Sequence, residues 1–191
     1  MEYDGWEFRS LGGASNYYGW ILRVLAPHLR GRCLEIGSGA GNFTRLLVGG
    51  GVSAGPFTCL EPSPRHAALL RDLFGSSEGV SVVESTLEAY LAGGGAGPFD
   101  SVVSVNVLEH VEDDLAAVRG IAGLLAPGGR LCLVVPAHPC LYGSLDRVFG
   151  HHRRYRRASM VRLADSANLR ILDMRSMNAP GALAWLAMGR V

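Results

Sequence analysis

Short apolar runs rich in β-forming residues alternate along this chain with stretches of helical periodicity, and that alternation restricts the fold more than any other feature. Residues 32–36, 57–61, 80–84, 100–105, 130–135 and 169–174 are predicted strands. Between them, residues 40–47, 64–73, 87–91, 113–125 and 157–166 carry helical spacing. Strands that are apolar on both faces and separated by helices belong to a parallel sheet covered on both sides. The predicted class is therefore α/β, an open layered sandwich.

Turn chemistry supports these boundaries. Gly49, Gly50 and Gly51 close the first of these helices, the glycine-rich stretch 92–98 precedes the fourth strand, and Ala126-Pro127-Gly128-Gly129 is expected to turn the chain into the fifth. Ahead of the first strand, Ser15 to Leu25 is amphipathic and ends near Pro27. Its Tyr17, Trp20 and Leu25 are expected to pack on the sheet, with Tyr17 also a candidate to line a ligand. With 191 residues and 48% hydrophobic composition the chain can bury one substantial core, so a single domain is expected.

Charge and cysteine usage narrow the partners. Eighteen Lys+Arg against seventeen Asp+Glu leave a formal charge of +1, which provides no field for tracking nucleic acid or an anionic membrane. Cys33, Cys59, Cys132 and Cys140 show no Cys-x-x-Cys spacing, and the first three lie in apolar strand-like runs, as reduced thiols do. The N-terminus lacks the basic and apolar regions of a secretory signal, and no apolar run is long enough to span a bilayer. A cytoplasmic protein without a transmembrane span is expected.

The strongest local motif is Leu34-Glu35-Ile36-Gly37-Ser38-Gly39-Ala40-Gly41, a strand running through a glycine turn into a helix. Such glycines let backbone approach a ligand closely, which points to a nucleotide. The spacing is G-x-G-x-G, with Asn42 where a dinucleotide turn has its third glycine, and no P-loop sequence is present. Glu61 ends the next strand, where a carboxylate can accept hydrogen bonds from ribose hydroxyls. A nucleotide ligand lacking a pyrophosphate fits best.

These residues resemble the first motif of class I S-adenosylmethionine-dependent methyltransferases. Glu61 is similar to their acidic residue after the second strand, Phe99-Asp100-Ser101-Val102-Val103 to their fourth strand, and Ala126-Pro127-Gly128-Gly129-Arg130-Leu131 to their turn before the fifth. The resemblance implies a Rossmann-like, doubly wound, mostly parallel sheet, with S-adenosylmethionine as cofactor and S-adenosylhomocysteine as product. It places Gly37, Gly39 and Gly41 under the cofactor, Glu35 near its amino-acid end, Glu61 on the ribose, Ser85, Thr86 and Leu87 at the adenine, and Asn106 and Val107 by the reacting methyl group. It also divides the single domain into an N-terminal helical cap (1–30), a cofactor-binding core (31–136) and a substrate loop with the C-terminal part (137–191).

Beyond the fifth strand, Pro136-Ala137-His138, then Leu141, Gly143, Ser144 and Asp146, then Gly150-His151-His152-Arg153-Arg154-Tyr155, with Asn178, Gly181 and Trp185 further on and Asn106-Val107-Leu108-Glu109-His110 earlier, resemble a bacterial subgroup of these enzymes, some fused to glycosyltransferases. Ligands of open α/β sheets bind beyond the carboxyl ends of the strands, so this segment is the expected substrate lid. His151 is the candidate proton acceptor and Asp146 its orienting carboxylate. Arg153 and Arg154 are candidates to hold an anionic acceptor, with His138 and Tyr155 beside them. Glu109-His110, with Glu112, Asp113 and Asp114 close by, raises the alternative of a divalent cation that binds substrate oxygens. Adjacent Glu and His lack metal-ligand spacing on a helix, however, and the acidic trio suits a helix N-terminus, so no metal is expected.

The expected activity is methyl transfer to an oxygen or nitrogen of a small polar or anionic metabolite. A nicotinamide-dependent oxidoreductase and an inactive methyltransferase-like binding module remain the alternatives. After the sixth predicted strand only residues 178–191 follow, so a seventh strand is expected to be absent or truncated. An uncovered sheet edge invites association, which makes a homodimer a further expectation.

Overall fold

The computed structural model describes residues 15–51 and 55–178, together with Gly181 and Trp185. The chain divides into two compact units, one of Met1–Ser104 with Leu124–Cys132, the other of Val105–Gly123 with Leu133–Val191.

The first unit is built on a sheet with strand order β3-β2-β1-β4-β5. Its strands are β1 (Cys33–Ile36), β2 (Phe57–Glu61), β3 (Val80–Glu84), β4 (Phe99–Val105) and β5 (Leu125–Val134). The pairs β1 with β2, β1 with β4, and β2 with β3 are all parallel. Every residue of β1 and β2 is buried, as strands covered on both faces must be, whereas β3 at the edge is half-exposed. The thiols of Cys33 and Cys59 are pushed up to about 12 and that of Cys132 to about 11, chiefly by burial, so all three behave as small apolar side chains.

Among the described residues four helices belong to the same unit: α1 (Ser15–Leu25), α2 (Asn42–Gly49), α3 (Pro64–Phe74) and α4 (Leu87–Ala92). Their ends are written locally. Ser63 accepts the N–H of His66 with Pro64 in the first turn of α3, and Thr86 accepts the N–H of Ala89 at the start of α4. The buried face of α1 differs from the expected one. Tyr18, Ile21 and Leu25 are buried, with the Tyr18 ring 5.9 Å from Phe43 of α2, whereas Trp20 is exposed and Tyr17 only half-buried. Spacing of three and four residues selects one stripe, and Ile21 places that stripe a residue away from Trp20.

The second unit carries a 3-10 turn at Leu108–His110, helix α5 (Asp114–Gly123), a 3-10 turn at Pro139–Leu141, and helices α6 (Ser144–Val148) and α7 (Arg157–Ser166). Asp113 accepts the N–H of Ala116 and so caps α5, the role expected of the acidic trio.

Two expectations about elements are corrected. The helix predicted over 113–125 stops at Gly123, and β5 begins at Leu125 and runs through the Pro-Gly-Gly stretch, with Gly128 at φ +74° where a side chain would be strained. The strand predicted at 169–174 does not form, so the sheet has five strands among the described residues. Ile171 and Leu172 are 39% and 56% exposed, and Met174 gives its carbonyl to the Arg157 side chain. A strand exists only through its partner, and apolar alternation without a ladder or burial does not make one.

Candidate functional site

The order of strands reverses at β1, whose neighbours β2 and β4 diverge from it, and ligands of doubly wound sheets bind at such a point beyond the strand ends. The glycine turn follows β1 there. Gly37, Gly39 and Gly41 take φ of +73°, +54° and +81°, a conformation open to glycine and strained for other residues. At Gly41 a side chain would also sit 3.0 Å from Leu70 of α3, so this position is closed by packing as well as by backbone geometry.

Two buried carboxylates flank the turn. Glu35 is 3% exposed, and its Oε2 accepts the hydroxyls of Ser38 at 3.0 Å and Thr44 at 2.6 Å. Burial raises its pKa to about 7, those two hydroxyls oppose the rise, and the charge of Glu61 adds to it. Glu61 is 5% exposed and accepts the N–H of Gly39 at 2.7 Å and of Ser63 at 2.9 Å, with His66 Nδ1 at 3.7 Å. It therefore joins the glycine turn to the start of α3 and still has lone pairs for another donor. Ser38 and Thr44 were not singled out from the sequence, because a hydroxyl contact to Glu35 has no spacing signature. Among the expected adenine residues, Thr86 caps α4, Ser85 donates to the carbonyl of Thr86 at 3.0 Å, and Leu87 is buried.

Within the second unit the expected catalytic pair is in contact. Asp146 Oδ1 lies 2.9 Å from His151 Nδ1 and 2.7 Å from Arg154 Nε, while Oδ2 accepts the N–H of Gly143 at 2.9 Å and the indole N–H of Trp185 at 3.2 Å. Asp146 has no exposed surface. Burial disfavours its charge, but the hydrogen bonds of Arg154, His151 and Gly143 outweigh burial and hold the carboxyl below the usual range. The His151 ring stacks on Trp185 at 6.2 Å, and the Arg154 guanidinium lies 4.8 Å above the same indole. Burial lowers the pKa of His151 against the opposing pull of Asp146. His110 meets the His151 ring edge-on at 4.7 Å, and burial followed by the charge of His151 lowers its pKa to about 4.

The remaining candidates have internal engagements. Arg153 pairs with Asp114 at 3.0 Å and donates to the carbonyl of Glu112, and Arg154 donates to the carbonyl of Ala137 in addition to Asp146. Tyr155 is buried, with its hydroxyl within 3.1 Å of both the Leu108 carbonyl and Asp114, and burial raises its pKa. His138 is exposed at φ +62°, and Asn106 has φ +54° with its N–H on the carbonyl of Val134. Val107 follows Asn106 at intermediate burial. Trp185 and Glu109 were not named as site residues in the sequence reading, and only tertiary structure brings them to His151 and its neighbours.

A doubly wound sheet whose glycine turn lies at the reversal of strand order defines the Rossmann-like class. Residues 12–174 match the family model of the methyltransferase domain, and the chain belongs to that family. Over 105 residues it is 35% identical to the ubiquinone biosynthesis O-methyltransferase of Xanthomonas axonopodis pv. citri (strain 306), a match covering 53% of this chain and 41% of that protein. The chain thus spans less than half the length of that curated relative. In fold it is similar to the N-methyltransferase NodS of Bradyrhizobium japonicum WM9 in complex with S-adenosyl-l-homocysteine, with TM-score 0.61 and 23% identity over 80% of this chain and 72% of that one. The [4+2]-cyclase SpnF is also similar, with TM-score 0.70 and 20% identity over 93% and 68% of the two chains. No helix among the described residues is long and apolar enough to cross a membrane.

Proposed function

We propose that this chain transfers the methyl group of S-adenosylmethionine to an oxygen or nitrogen of a small polar or anionic molecule. The acceptor's lone pair forms the new bond to carbon, the C–S pair stays on sulfur, S-adenosylhomocysteine leaves, and the acceptor's proton passes to the imidazole of His151. The observation that carries this reading is the hydrogen bond from Gly39 N–H to Glu61, which ties the G-x-G-x-G turn to the acidic residue ending the next strand. Family membership supports it.

In this reading Gly37, Gly39 and Gly41 form the floor for the cofactor, Glu61 accepts the ribose hydroxyls, and Glu35 braces the turn through Ser38 and Thr44. Ser85, Thr86 and Leu87 border the adenine, and Asn106 and Val107 lie by the methyl group. The sulfonium is already activated, so alignment of the acceptor and exclusion of water supply much of the rate. On the acceptor side Asp146 fixes Nδ1 of His151, leaving Nε2 to take the acceptor's proton. Arg154 is buried as the counterion of Asp146, whereas Arg153, whose side chain is 30% exposed, is the cation in reach of an anionic acceptor. Tyr17, His138 and Tyr155 are the further substrate-side candidates.

The histidine and arginine segment 150–155 supports assignment to the bacterial subgroup described above. Buried free thiols support a reducing, cytoplasmic setting, and the near-neutral charge favours a small molecule over nucleic acid. Among the described residues the sheet has no sixth strand, and an uncovered edge there supports a homodimer. Titration with S-adenosylhomocysteine and, separately, NADH tests the central assignment. Saturable binding of the first alone is expected, and preferential binding of NADH would overturn it.

A further inference from the structure

We propose that Glu109, His110 and His151 hold a divalent transition-metal ion of the zinc type. One donor atom from each side chain lies within 4.8 Å of the other two. The site goes beyond the methyl-transfer assignment and stands on the second unit alone.

Three features make this grouping a ligand set. First, His151 is oriented as metal-binding imidazoles usually are: its Nδ1 is held by a carboxylate, here Asp146 at 2.9 Å, and the other ring nitrogen is left as donor. Asp146 is in turn held by Arg154, Gly143 and Trp185, so the ring has little freedom to turn away. Second, His110 approaches the same ring edge-on at 4.7 Å, which sets two imidazoles side by side at an interplanar angle of 80°. Third, Glu109 brings a carboxylate that is 1% exposed into the same place, an oxygen donor beside the two imidazoles.

Adjacent residues of the 3-10 turn Leu108–His110 leave the backbone about 120° apart, so it is the reach of their side chains that brings one donor atom of each within 4.8 Å of the others. The N–H of His152 bonds to the carbonyl of Glu109 at 2.8 Å. That bond pins the segment carrying His151 against the turn carrying the other two donors. Metal–nitrogen bonds of about 2.0–2.1 Å place tetrahedral donors roughly 3.4 Å apart, so small side-chain rotations close the site. Two nitrogens and one oxygen select zinc, cobalt, nickel or iron over magnesium and calcium, which prefer all-oxygen shells. Three protein ligands leave a position for water or for an acceptor oxygen. An ion there would occupy the free nitrogen of His151, so in the metal-bound protein the ion rather than the imidazole would lower the pKa of an acceptor hydroxyl bound to it, and that proton would pass to water.

The test is titration of the chelator-treated full chain with Co²⁺, followed by visible absorption and calorimetry, with Zn²⁺ as competitor. One ion per chain is expected, giving a ligand-field band that Zn²⁺ abolishes. His110→Ala and Glu109→Gln are each expected to weaken binding by roughly tenfold or more, whereas His28→Ala and His152→Ala leave it unchanged. Because Glu109 is buried and its substitution risks the fold, His110→Ala carries the decision if E109Q does not fold. Absence of stoichiometric binding at millimolar Co²⁺, or binding that His110→Ala leaves intact, would overturn the site. Neither result bears on binding of S-adenosylhomocysteine, so this proposal and the cofactor assignment fail separately.

Discussion

Glu35 and Asp146 are both carboxylates removed from solvent, and the fold treats them in opposite ways. Glu35, beside the glycine turn, is met by two neutral hydroxyls, and burial prevails, lifting its pKa to about 7. Asp146, in the second unit, is met by a guanidinium, an imidazole, a backbone N–H and an indole N–H, and is held below the usual carboxylate range. Burial sets the direction of a shift only until a cation is supplied. The first carboxylate remains close to exchanging its proton near neutrality, while the second is a permanent anion that orients an imidazole.

The contrast is broken most severely by removing the cation. Arg154→Met leaves Asp146 buried without its main counterion, and the expected loss is about 3 kcal/mol or more, read as a lower urea midpoint. A change within error of zero would mean that His151 and the two N–H donors suffice. The effect at Glu35 is of similar size but depends on pH. Its folded pKa of about 7 lies above the ordinary 4.5, so the folded chain holds the proton more tightly. The associated stability is fully present below pH 4.5 and is lost as pH rises through about 7. The total is on the order of 3 kcal/mol. Unfolding of wild type and Glu35→Gln at pH 5 to 8 checks this, since the variant is expected to lose that component of the slope, and parallel curves would refute it. The smallest effect is at the exposed cap: Thr86→Ala is expected to cost about 1 kcal/mol through the start of α4. A larger fall in cofactor affinity than in stability would give Thr86 a ligand role as well.

The two regions also differ in how much of them was legible beforehand. The glycine turn and Glu61 act over a few residues or through the strand-to-strand interval, and such local chemistry is written in order along the chain. The helix at Ser15–Leu25, two strands and the helix at Arg157–Ser166 have the bounds expected from periodicity. The second cluster assembles Glu109, His110, Asp146, His151, Arg154 and Trp185 from distant stretches. Asp146 and His151 were legible because a short loop joins them, but Trp185 stacking on His151 is a tertiary fact. Adjacent Glu109 and His110 look unsuited to a shared ligand from their spacing, and only the folded chain brings one donor atom of each within 4.8 Å of His151. The strand expected at 169–174 failed for the same reason, because pairing is decided by what lies alongside.

Calorimetric titration of wild type and Glu61→Ala with S-adenosylhomocysteine tests the central claim most directly. Charged hydrogen bonds of this kind are worth about 1.5–3 kcal/mol, so the variant is expected to bind roughly tenfold to a hundredfold more weakly while remaining folded by circular dichroism. Equal affinity in the two proteins would contradict the assignment of Glu61 to the ribose and, with it, the reading of the turn after Glu35 as the cofactor site.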